Sequence, residues 1–158
     1  MPFKGAIEAG VGAIMIAHRN IPSLEPSGKP TSLSRKVIQE ILRDSWGYEG
    51  LVITDALNMK GAAAFAPPGE LELAAFSAGN DVLLFPMDVP KAMKAFQNAL
   101  ATDKITVKSL DERVRRILVA KSNCQASGDW MEAQKAADPK LLSSDHGPFE
   151  RADATQRV

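Results

Sequence analysis

The sequence predicts an α/β fold built on a short parallel sheet. Three brief apolar runs carry this expectation: AIMIA at residues 13–17, LVIT at 51–54 and VLLF at 82–85. Each is continuous and partly β-branched, as a strand buried on both faces would be. Each follows a helix-like stretch closed by glycine, namely Gly10, then Gly47 or Gly50, then Gly79. Glycine just past a helix is the usual left-handed stop. Helix and strand recur with a period of roughly 30–40 residues, which argues for parallel strands joined by helices. Each run ends in a polar residue or proline: His18, Asp55 or Pro86. In α/β folds the carboxyl ends of strands collect the functional groups.

The elements follow in order. Ser34 is placed to cap a helix whose Val37, Ile38, Ile41 and Leu42 share one face. The stretch from Ala62 is alanine-rich and broken by Pro67-Pro68, and a helix rich in Leu and Ala runs from Glu70 to Ala78. Val89 to Leu100 reads as a helix with Ala92, Met93, Phe96 and Leu100 on one stripe. Ser109-Leu110-Asp111-Glu112 reads as a capping box that opens a last helix, with Leu110, Val114, Ile117 and Leu118 apolar. Arg113, Arg115 and Arg116 fall off that stripe and read as a solvated face. Asp81 and Asp88, flanking the third run, read as turn residues. Residues 1–121 form the folded part, and 122–158 a polar tail, partly disordered. His146 lies in that tail.

Composition narrows the function. The 158 residues hold 19 basic and 19 acidic side chains, so no net field draws nucleic acid or anionic lipid. No apolar run is long enough to span a bilayer. The single cysteine, Cys124, excludes an intrachain disulfide framework and fits a reducing, cytoplasmic compartment. Two histidines and scattered carboxylates show no metal-ligand spacing, so no metal or other cofactor is expected. The turns after the first two strands contain no glycine-rich phosphate loop, which speaks against a nucleotide binder.

On pattern alone, Asp55 is either a cap or turn residue or a strand-end functional group. His18 alone reads as a strand-end residue bonded to backbone, and Met59 as core. The stretches PFKGAIEAGVGAIMIAH, ILRDSWGYEGLVITDALNMKGA, AGNDVLLFP and KITVKSLDERVRRILVAK resemble the catalytic barrel of glycoside hydrolase family 3, in its β-N-acetylhexosaminidase branch. Ser45 departs from the pattern, at a helix position away from the chemistry. The resemblance implies a partial (β/α)8 TIM barrel: about three βα units plus closing helices, out of the eight units of a whole barrel. It implies a retaining glycosidase acting on terminal β-linked N-acetylhexosamine, with a carbohydrate as partner. Asp55 matches the nucleophile, which attacks the anomeric carbon and must stay ionised. Thr54 and the backbone N–H groups of the following turn are the expected donors to it. His18 matches a site-lining residue, and Met59 an apolar wall beside the sugar.

The same resemblance raises a shortage. The branch carries its acid/base His–Asp pair on a loop after a Lys-His-Phe-Pro-Gly-His-Gly-like motif, and neither occurs in this sequence. The missing part is expected to precede Met1. The exposed sheet edges would then favour self-association. The competing expectations are a β-glucosidase of the same family and an inactive sugar-binding or structural piece.

Overall fold

The computed structural model describes residues 2–126, and the tail beyond them, His146 included, lies outside the described residues. Helix α1, Pro2–Glu8, leads through Gly10, at φ +81°, into strand β1, Ala13–Ile16. Strand β2, Leu51–Thr54, lies parallel to β1, pairing Ala13 with Leu51 and Ile16 with Thr54. Between them come a 3₁₀ turn, Thr31–Leu33, and a ten-residue helix, Lys36–Ser45. That helix is wound as a π-helix, where the sequence pattern suggested an ordinary helix. Ser34 does cap it, accepting from Val37 N at 3.2 Å. Ile38 and Leu42 form its buried face, against Tyr48, Val52 and Ala78.

The third expected strand is reduced to a bridge. Val82 pairs in parallel with Ile53, and no named strand continues from it. The cause lies in who holds its hydrogen-bonding groups. The Leu84 N–H donates to the Thr54 hydroxyl at 2.9 Å, and the Leu84 carbonyl accepts from Leu57 N at 2.9 Å. Side chain and turn thus replace the ladder, and Phe85, at φ +45°, ends the extended run. β1 also departs from expectation. It is an edge strand among the described residues, and the face that carries Ala13 and Met15 is exposed rather than buried.

Helix α2, Lys60–Ala63, is a single turn after β2, and α3, Glu70–Ala78, ends at Gly79 with φ +119°. A side chain there would be strained and would also meet Ile38 Cγ2 at 2.9 Å. Helix α4, Val89–Ala101, is capped by Asp88, whose carboxylate accepts from Lys91 N. Its buried face is centred on Ala92 and Ala99, leaving Met93 exposed. Phe96 packs edge-on to Phe76, with ring centroids 5.1 Å apart.

Helix α5, Val107–Ala126, corrects two expectations. Its capping box is Thr106 with Ser109, not Ser109 with Glu112. Ser109 N donates to Thr106 Oγ1 at 3.1 Å, and Thr106 N donates back to Ser109 Oγ at 3.3 Å. Its packed face is also different. Val114 and Leu118 are exposed, while Arg113 stacks 4.9 Å over the Phe76 ring and Arg116 pairs with Asp81 at 2.8 Å. Long guanidinium side chains bury their stems as readily as aliphatic ones do. Asp81 stands in the bend after α3, as expected, but its side chain does more than shape a turn. Its side chain is fully buried, it pairs with Arg43 at 2.7 Å and with Arg116, and it accepts from Val52 N.

Candidate active site

The site forms where β1 and β2 end. Asp55 follows the last residue of β2, and its N–H donates to Ile16 O at 3.0 Å, extending the ladder by one bond. Strand alternation sends Thr54 to the buried face and leaves Asp55 half-exposed on the other. The Asp55 carboxylate accepts from the next backbone N–H, that of Ala56, at 2.8 Å. The expected backbone donor is therefore in place. The Thr54 hydroxyl instead faces Leu84, so it braces the neighbouring chain and not the carboxylate.

His18 stands one residue beyond Ala17, level with Ala56 in the parallel register. Its Nε2 lies 3.0 Å from Ala56 O and its Nδ1 lies 2.6 Å from Ser32 Oγ. A carbonyl only accepts, so Nε2 carries a proton; in the neutral ring Nδ1 then accepts from the Ser32 hydroxyl. Both nitrogens are thus engaged with protein. Met59 N also donates to Ala56 O, at 3.0 Å. Asp55, His18 and Met59 therefore meet at one residue, Ala56: its N–H, in the peptide from Asp55, donates to the carboxylate, and its carbonyl, in the following peptide, accepts from the other two. Gly61 permits this closeness, since a Cβ there would lie 3.2 Å from His18 Cβ and from His18 O. The Met59 side chain is about half-exposed at the start of α2.

Pattern reading missed the supports behind this group. Ser32 is fully buried, and its carbonyl accepts from Asn80 Nδ2 at 2.8 Å. Asn80, also fully buried, donates to Ala75 O as well, at 2.7 Å. A line of hydrogen bonds thus runs from the end of α3 through Ser32 and His18 to the Asp55 turn. Glu72, fully buried in α3, accepts from Gly69 N at 2.6 Å and from Met87 N at 2.8 Å, tying down the segment after Val82. Among the described residues, no cluster of His, Cys, Asp and Glu is arranged to hold a metal ion.

The arrangement presents a partly exposed carboxylate, oriented by a backbone donor, on a rigid strand end. That can serve as a nucleophile or as an anion stabilising developing positive charge. Comparison with known proteins shows the family. Residues 1–120 match the glycosyl hydrolase family 3 N terminal domain. A beta-N-acetylglucosaminidase/beta-glucosidase of Cellulomonas fimi is 28% identical over 99% of this chain and 29% of its own length. A beta-hexosaminidase of Chromobacterium violaceum is 31% identical over 92% of this chain and 41% of its own. The solved family 3 beta-N-acetylglucosaminidase of Paenibacillus sp. str. FPU-7 superposes with a TM-score of 0.71 at 36% identity, over 77% of this chain and 24% of that one. The chain thus spans between about a quarter and two fifths of these proteins.

Proposed function

The chain belongs to glycosyl hydrolase family 3, and from that premise we propose that it carries the nucleophile of a retaining β-N-acetylhexosaminidase. The observation that carries the reading is Asp55 at the carboxyl end of β2, its carboxylate fixed by Ala56 N while His18 and Met59 N hold the carbonyl of that same residue. Asp55 attacks the anomeric carbon, the glycosidic bond breaks, and a glycosyl ester forms that water later hydrolyses. The transition state is oxocarbenium-like, so the same anion also stabilises it. The β1–β2 pair and the bridge at Val82 belong to a (β/α)8 barrel, whose parallel neighbours share this register. The acid that protonates the leaving oxygen comes from outside these 158 residues. The absence from the sequence of the branch's histidine motif supports that part. Met59 lines the sugar, and His18 serves the site mainly through the Ala56 carbonyl.

A second substrate reading has its own support, because the Cellulomonas fimi relative is named for β-glucosidase activity as well. The test is turnover of two aryl β-glycosides with a good leaving group, the N-acetylglucosaminide and the glucoside, beside Asp55→Asn. A good leaving group departs without an acid, so the assay reads Asp55 alone. Activity in the wild type that falls about 100-fold or more in Asp55→Asn supports the nucleophile. Activity that survives the substitution removes Asp55 from the role. The ratio of the two glycosides decides the substrate. No turnover by either protein would leave these residues a binding or structural element.

A further inference from the structure

Phe85 is held in a conformation that a bulky residue avoids. Its φ is +45°, in the left-handed region, and the residue is 64% exposed. Neither property favours folding. The backbone is fixed there from both sides. Leu84 is bound through its N–H to the Thr54 hydroxyl and through its carbonyl to Leu57 N, so Phe85 is tied to the residues that bracket Asp55. Two residues on, Met87 N is bound to the buried Glu72 carboxylate. Strain that the surroundings impose in this way is a pointer to function.

Position suggests which function. Leu84 is bonded to Thr54 and Leu57, on either side of Asp55, and Phe85 is the next residue along. The Met59 and Met87 side chains, on the segments either side, are also exposed. A terminal sugar with its anomeric carbon at Asp55 sends its leaving group outward past the strand ends. Pyranose and aryl leaving groups both present an apolar face that an aromatic ring can stack upon. We propose that Phe85 is the platform for the leaving group at the Asp55 site, selecting glycosides whose aglycone carries such a face. The proposal rests on the glycosidase reading above.

Calorimetric titration of the full chain separates the two. The probes are N-acetylglucosamine, which lacks an aglycone, and phenyl 1-thio-β-N-acetylglucosaminide, which resists turnover. Phe85→Ala is expected to weaken the thioglycoside about five- to tenfold and to leave the monosaccharide within about twofold of wild type. Phe85→Trp should retain thioglycoside binding. Phe85→Gly should lose it like Phe85→Ala yet melt at or above the wild-type temperature, since glycine adopts this φ freely. Equal weakening of both ligands, or of neither, overturns the platform while the glycosidase reading stands. Melting temperatures that fall in every variant in step with affinity also overturn it. Wild-type protein that binds neither probe removes the platform and the reading together.

Discussion

The Ala56 peptide shows how little chemistry a side chain needs in order to matter. His18 makes no hydrogen bond to Asp55, its ring nitrogens being taken by Ser32 and Ala56. It fixes the carbonyl of Ala56, the residue whose N–H orients the carboxylate, and Ser32 fixes His18 in turn. Ser32→Ala is the clean test, because it removes one buried hydroxyl and leaves every group on Asp55 intact. The His18 ring would lose the partner of Nδ1. The expected loss is about 1–3 kcal/mol of stability, measured by urea unfolding. A change below about 0.5 kcal/mol would mean that the ring is held without Ser32. The strand-end positions of Asp55 and His18 were legible from sequence because they are local features, whereas the site roles expected of them and of Met59 came from the family resemblance. Ser32 and Asn80 were not legible. Their partners lie 14 and 48 residues away, and a serine or asparagine in a polar stretch carries no local mark of burial.

At the scale of elements, helices α3 and α4 were readable from apolar spacing and glycine stops, and strands β1 and β2 from β-branched runs. The third run misled because its composition is that of a strand while its partners are not. Thr54 sits in β2 with its hydroxyl turned to Leu84, so one side chain does the work of a ladder carbonyl. Thr54→Val keeps shape and β-branching but removes that acceptor. The Leu84 N–H would be left without its bond, at a cost of about 1 kcal/mol because Leu84 is only half-buried. Amide exchange at Leu84 should quicken at least about fivefold, while exchange in β1–β2 pairing stays close to wild type. Unchanged protection at Leu84 would show that Thr54 is not what holds the third segment. Helix α5 misled for a different reason. Apolar periodicity placed its inner face on Leu110, Val114, Ile117 and Leu118; Leu110 does pack on the core, but Val114 and Leu118 are exposed, and Arg113 and Arg116 join the packed side through an aromatic ring and a carboxylate that sequence spacing does not reveal.

Over the whole described fold, Asp81 is where the layers are joined. Its carboxylate takes Arg43 from the π-helix, Arg116 from α5 and the Val52 N–H from β2, so one buried anion links two helices to the central strand. Arg43 reaches further, donating to Tyr48 O at 2.8 Å and to Gly50 O at 2.6 Å, which sets the turn into β2. Burial pulls the Arg43 guanidinium below its ordinary pKa, and the Asp81 charge opposes that pull. Remove the charge and two partly buried cations face each other with nothing between them. A buried ion pair contributes little over a well-packed apolar substitute, but breaking one from a single side is costly. Asp81→Asn keeps the volume and one acceptor while deleting the charge, so its loss should be electrostatic, about 3–5 kcal/mol. For a domain of this size that is a large share of the total stability. The variant should therefore show a broadened or absent cooperative transition in denaturant and a weakened near-ultraviolet signal. Adding Arg116→Met to Asp81→Asn should recover part of the loss, because one stranded cation goes with it. If the double variant is no more stable than Asp81→Asn, the charge balance is not what Asp81 provides. Its role would then reduce to the hydrogen bond from Val52.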